Sequence, residues 1–183
     1  MPFTATEFPG LFIFEPLILK DDRGYFFESY NEQTFHVQGI LNRFIQDNQS
    51  FSKYGVIRGM HYQLEPYSQA KLIRVLQGKI LDVAVDIRKG SPTYGKFMSI
   101  ELSAENKKQF LIPKGFAHGF SVLSETAEVS YKCDGFYHKA SEGGIRYDDP
   151  ALGIDWQVPS EKALVSPKDL ELPVFAECRN NFQ

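Results

Sequence analysis

Lys79-Ile80-Leu81-Asp82-Val83-Ala84-Val85-Asp86-Ile87 alternates residue by residue, with Leu81, Val83, Val85 and Ile87 on one side and Ile80, Asp82, Ala84 and Asp86 on the other. A period of two is the mark of a β-strand, whose successive side chains leave opposite faces. Shorter runs of the same kind flank it, at residues 11–19, 24–30, 44–51, 56–63, 71–77, 97–102, 109–112, 118–123 and 127–133. The breaks between them, among them Asp21-Asp22-Arg23-Gly24, Arg88-Lys89-Gly90-Ser91-Pro92 and Pro113-Lys114-Gly115, carry turn residues, and their spacing predicts hairpins. Only residues 31–41, with Asn31 as N-cap, and the stretch after Ser160 read as helical, and neither is long enough for βαβ crossovers. Many short antiparallel strands must close their edges, so the expected fold is all-β: a jelly-roll barrel with few short helices and a helical or irregular C-terminal tail.

Composition sets the remaining bounds. With 183 residues, 43% apolar and 23% charged, the chain is expected to form one domain, residues 1–183, around a substantial core. Sixteen Phe and nine Tyr point to aromatic-lined strands. A net charge of −3 supplies no basic field for nucleic acid, while a small anionic ligand needs only a few local Arg or Lys side chains. Cys133 and Cys178, without a secretory leader, are expected as reduced thiols. No apolar run reaches membrane-spanning length, so the expected location is the cytoplasm, with no membrane partner.

Several side chains could carry chemistry. A lone strand histidine is ordinarily structural, but His61 lies in Arg58-Gly59-Met60-His61-Tyr62-Gln63, which sets a cation, a titratable base and an amide within six residues. Regular pleating would send Arg58 and His61 to opposite faces; a bulge at Gly59 would turn both inward. Lys71 shares a strand face with Ile73 and Val75 and is either a snorkelling surface lysine or, pointing inward, a cation for a developing enolate. Tyr131 alternates with Val129 and Cys133, as a core aromatic or as a buried phenol able to donate a proton. Asp169, in Ser166-Pro167-Lys168-Asp169, is a turn acid unless the tail folds back to His61, where it would orient the imidazole. His118 sits in Pro113-Lys114-Gly115-Phe116-Ala117-His118, similar to the second signature of cupin jelly rolls, whose histidine often binds metal. The companion signature needs a His-x-His pair, and here His61-Tyr62-Gln63 replaces the second imidazole by an amide. A three- or four-ligand site is hard to assemble from one histidine per motif, so no metal is expected.

Further segments join these: Asp22-Arg23-Gly24-Tyr25-Phe26-Phe27-Glu28, Ile45-Gln46-Asp47-Asn48-Gln49-Ser50, Ala70-Lys71-Leu72-Ile73-Arg74-Val75, Asp82 to Arg88, Tyr131-Lys132 and Ser141-Glu142-Gly143-Gly144-Ile145. Taken in order over nearly the whole chain, they resemble the dTDP-4-dehydrorhamnose 3,5-epimerase family of cupin-type sugar-nucleotide enzymes. The resemblance implies His61 as general base paired with Asp169, Tyr131 as the opposing acid and Lys71 beside the sugar carbonyl. It implies Arg58 and His118 lining the sugar and diphosphate site. Arg23, Glu28, Gln46, Asp47, Asn48, Glu142 and Lys168 fall at nucleotide-contacting positions, some reaching the site of a partner subunit in a homodimer. Met60 and Pro167 depart from the family pattern without removing a functional group.

That chemistry needs no cofactor. Inverting C3 and C5 of a 4-keto sugar takes a base with pKa near the working pH, a cation at the ketone oxygen and an acid across the ring. Two rivals remain open on the same scaffold: epimerisation or isomerisation at a single carbon, and a cupin that binds a sugar or metal without catalysis.

Overall fold

The computed structural model describes residues 2–183. Fourteen strands run as β1 Phe3–Ala5, β2 Phe12–Phe14, β3 Leu19–Asp21, β4 Gly24–Phe26, β5 Gln46–Lys53, β6 Val56–Gln63, β7 Lys71–Gln77 and β8 Lys79–Asp86. They continue as β9 Phe97–Ser103, β10 Gln109–Ile112, β11 Phe116–Val122, β12 Thr126–Cys133, β13 Glu142–Gly144 and β14 Leu164–Val165. Two short α-helices, α1 Glu32–Val37 and α2 Pro167–Leu170, complete the regular structure with three 3₁₀ turns. Asn31 caps α1, its side chain accepting from the amides of Gln33 and Thr34.

Two sheets face each other, in the orders β1-β2-β10-β7-β12-β5 and β13-β6-β11-β8-β9, with β14 added beside β6. This is the jelly roll that the strand pattern predicts, of the cupin type that the family resemblance implies. Turn spacing misleads about connectivity, however. Among the described residues only β1–β2, β3–β4 and β8–β9 are sequence-adjacent pairs. Tyr54 and Gly55 carry the chain from β5 in one sheet to β6 in the other, and Gly78 alone separates β7 from β8 across the same divide. A tight turn fixes a change of direction, while the pairing partner is chosen by which inner face the strand must help to fill.

Ile73, Val75, Ile80, Ala84, Phe110, Phe116, Phe120 and Val129 pack between the sheets. The outer face of the second sheet, with Leu81, Val83 and Val85, is covered by the C-terminal tail through Leu152, Trp156 and Phe182. The outer face of the first sheet is covered by α1, where Phe35 meets Phe3, Phe14 and Tyr30 at ring-centroid distances of 4.8 to 5.1 Å. Strand β8 is therefore buried on both sides, and its Asp82 and Asp86 lie fully buried.

The tail is the mix of short helical turns and irregular chain expected, with one short strand added. After Ser160 it forms a 3₁₀ turn, then β14, then α2; β14 pairs parallel to β6 through Leu164 with Val56 and Val165 with Ile57. Among the described residues no helix is long and apolar enough to cross a membrane.

Candidate active site

Strand β6 is not regularly pleated: it carries the bulge that would turn both Arg58 and His61 inward. His61 faces His118 across to β11 and Arg58 faces Phe120, so Gly59 and Met60 oppose the single residue Gly119. Gly59 takes a φ of +111°, which side chains other than glycine rarely adopt. Beyond the bulge, Met60 and Tyr62 point outward into the tail-covered core, while Arg58 and His61 both line the inner cavity.

The bulge also creates a vacancy on the outer edge of β6. β14 pairs only with Val56 and Ile57, β13 only with His61, Tyr62 and Gln63, and the Gly59 amide between them donates to Asp169 Oδ2 at 3.2 Å. Asp169 is set there by the first turn of α2, where Ser166 Oγ accepts from its amide at 3.1 Å. Its other oxygen, Oδ1, lies 2.7 Å from His61 Nε2. Burial would raise the Asp169 carboxyl, but hydrogen bonding with His61, the Gly59 amide and Ser166 outweighs it and holds the pKa below the ordinary aspartate range. The tail thus returns to His61, the condition under which Asp169 is more than a turn acid.

His61 and Asp169 border a cavity of about 500 Å³ that is also lined by Ser50, Arg58, Lys71, His118, Tyr131 and Lys168. His61 projects from the second sheet and Tyr131 from the first, so the two reach the cavity from opposing walls. Burial pushes the Tyr131 phenol up, the Arg58 charge only partly opposing it, and the phenol is protonated at neutral pH. Lys71 keeps some accessible surface, yet protein encloses its ammonium, which donates to the His61 carbonyl at 3.3 Å; this desolvation pushes its pKa down. Arg58 donates from Nε to Ser52 Oγ at 3.0 Å and from its terminal nitrogen to the Phe51 carbonyl at 3.3 Å. Among the described residues, no group of three or more His, Cys, Asp or Glu is placed to hold a metal ion.

A second cavity of about 280 Å³ shares His61, Lys71 and Tyr131 and extends to Gln46, Asn48, Gln63, Tyr137 and Glu142. Glu142 accepts from Lys168 Nζ at 2.6 Å and from the Tyr137 hydroxyl at 3.0 Å. Burial raises its carboxyl, and these bonds more than offset that. Three residues of the family pattern lie elsewhere in this chain. Asp47 sits on the outer side of the first sheet, paired with Lys132 at 2.9 Å. Arg23 is on the β3–β4 turn, its side chain 91% exposed and paired with Asp21 at 2.6 Å. Glu28 borders a separate, largely apolar cavity of about 610 Å³ with Phe14, Leu17 and Phe26.

Asp82, to which the sequence assigns no role in the site, has its Oδ1 2.6 Å from His118 Nε2 in the interior. Its signal was an acid inside a strand whose every neighbour is apolar.

Fold and pocket together define a cupin-like jelly roll carrying acid–base groups on its inner walls. A profile of dTDP-4-dehydrorhamnose 3,5-epimerase matches residues 5–177. A relative of that name from Shigella flexneri is 51% identical over 178 residues, 97% of each chain. The crystal structure of the dTDP-4-dehydrorhamnose 3,5-epimerase of Elizabethkingia anophelis NUHP1 superposes with a TM-score of 0.93 at 50% identity, covering 96% of both chains. The structure of the Legionella pneumophila Philadelphia 1 dTDP-6-deoxy-D-glucose-3,5-epimerase, in complex with dTDP-4-keto-L-rhamnose, gives 0.91 at 48% identity, covering 96% of this chain and 93% of that one. The chain belongs to the dTDP-4-dehydrorhamnose 3,5-epimerase family.

Proposed function

We propose that the protein converts dTDP-4-dehydro-6-deoxy-D-glucose to dTDP-4-dehydro-L-rhamnose by inverting C3 and C5. The observation that carries this reading is that His61, bonded to Asp169, and Tyr131 reach one cavity from opposing sheets, with Lys71 on the same wall system. His61 takes the proton from the carbon beside the C4 ketone, and Asp169 stabilises the imidazolium that results. The electron pair left behind moves into the enolate, whose oxygen faces the Lys71 ammonium. Tyr131 then gives its proton to the opposite face of the carbon. Exchange with water restores both residues, and the cycle repeats at the second carbon. Arg58 and Lys168 donate to the diphosphate oxygens, and Gln46, Asn48 and Glu142 lie along the nucleotide side.

The active form is proposed to be a homodimer in the cytoplasm. Arg23 and Glu28 sit on and beside the protruding β3–β4 hairpin, where Leu19, Tyr25 and Phe26 are exposed, and that arrangement supports their reaching the partner's site. Mixed dimers of Arg23→Ala and His61→Ala subunits recover activity under this reading; if sites are complete within one chain, mixing restores nothing.

Incubation with the 4-keto substrate in D2O decides the reaction. Deuterium at both C3 and C5, with the inverted sugar as product, is expected. Exchange at one carbon points to a single-carbon epimerase or isomerase, and binding without exchange to a non-catalytic cupin. His61→Ala is expected to abolish exchange at both carbons while binding survives, whereas Tyr131→Phe leaves some exchange and impairs inversion.

A further inference from the structure

Two buried side-chain polar atoms among the described residues lack a hydrogen-bond partner, and one is Asp82 Oδ2. Asp82 lies in the middle of β8 on the inner face, flanked across the sheet by Ile100 and Phe120. Its other oxygen meets His118 Nε2 at 2.6 Å. A half-satisfied acid in an apolar interior is costly to keep, and what it serves must lie within its electrostatic reach.

The group with most need of it is Lys71. Protein desolvates this ammonium, and the charges facing it come from β12, β8, β13 and β11. On β12, burial pushes the Cys133 thiol up, so at neutral pH it brings no charge, and the Tyr131 phenol is neutral too. On β13, Glu142 is taken by Lys168 and Tyr137. On β6, His61 offers only its carbonyl, since Asp169 is committed to the His61 ring and the Gly59 amide. On β11, His118 carries no negative charge. Asp82, with Oδ2 unpartnered, is the acid left uncommitted toward Lys71.

We propose that Asp82 is a positioning residue for the reaction: its buried carboxylate keeps Lys71 an ammonium and fixes the His118 ring through Nε2, so that both serve the reacting carbonyl. This rests on the epimerase reading, in which Lys71 faces the enolate. With Nε2 committed to Asp82, only Nδ1 of His118 remains for a ligand.

The test uses Asp82→Asn, which preserves shape and an acceptor for His118 while removing the charge. Solvent exchange into the 4-keto substrate is followed from about pH 6 to 10 in both proteins. The alkaline limb of the kcat profile is expected to move down by on the order of one pH unit. On that limb the loss is about tenfold, with KM within about twofold of wild type. A superimposable profile, or a loss carried by KM alone, overturns the proposal. Titration of the Lys71 ammonium by NMR in both proteins needs no turnover, and an unchanged midpoint in the variant overturns it equally. If the variant fails to fold, the carboxyl-carbon resonance of Asp82 in the wild type decides: a protonated acid at pH 7 refutes the proposal, an ionised one supports it. A wild type without any exchange refutes the epimerase reading instead, leaving the NMR titration to judge Asp82.

Discussion

Asp169→Asn changes almost no volume and removes one charge from behind His61. The carboxylate is buried, lies 2.7 Å from His61 Nε2 and receives the Gly59 amide at 3.2 Å, so the amide side chain of the variant can keep one of these contacts but not their charge. A hydrogen bond to a charged group contributes about 1.5–3 kcal/mol. That interaction is strongest when His61 holds the abstracted proton, so the loss falls on the transition state and not on binding. Converted at about 1.36 kcal/mol per decade, kcat should drop roughly 10- to 150-fold. Asp169 stands behind His61, with 6% of its side chain exposed, so KM and dTDP affinity should change little. Initial rates of deuterium incorporation over a substrate series, with dTDP binding by calorimetry, separate the two quantities. A kcat within about threefold of wild type, or a deficit carried by KM, would refute the assignment of Asp169 as the partner of the base.

Gly59→Ala places a Cβ 2.6 Å from the His118 carbonyl oxygen and 2.7 Å from Gly119 Cα, both backbone atoms, at a φ of +111°. The strain of about 1–2 kcal/mol and the overpacking of about 1–3 kcal/mol together predict a loss of about 2–5 kcal/mol in urea denaturation, with activity falling in parallel. Asp86 is buried and accepts from Arg88, Ser91 and Thr93 at 2.6 to 2.9 Å; burial raises its carboxyl, but those bonds prevail and its pKa is lowered. Asp86→Ala should cost about 3–5 kcal/mol at pH 7. Because the folded pKa lies below the unfolded one, this stabilisation is present above about pH 4 and is lost as pH falls through the folded value. The difference in denaturation midpoint between wild type and variant should therefore narrow on acidification; a gap independent of pH would contradict it. Trp156→Ala, at the anchor of the tail on the second sheet, should destabilise by about 3–5 kcal/mol, measured by the same denaturation.

Where local rules govern, the sequence was readable. Runs 56–63, 71–77 and 109–112 coincide with β6, β7 and β10, and Asn31 caps α1 as its side chain predicts. Strands β1, β13 and β14 went unseen, each being too short to show a period, and the run 11–19 is divided between β2 and the start of β3. In the site, Arg58, His61 and Gln63 stood out because polar groups clustered in a strand call for explanation, and Gly59 supplied the means of turning them inward. Asp82 did not stand out, since alternation alone does not distinguish a solvent face from a polar position inside a barrel.

By itself, then, the sequence determined an all-β chain closed on itself, a glycine at position 59 free to form a bulge, and the residue types that base, acid and cation require, because strand period, backbone freedom and side-chain chemistry are properties of neighbouring residues. The tertiary structure alone decided which sheet each strand joins, that β8 is buried on both faces, and that Asp169 meets His61 across more than a hundred residues of chain. Those outcomes depend on filling the space between two sheets and on a tail that covers one of them and pairs with the open edge of β6. No window of sequence contains the surfaces that must fit.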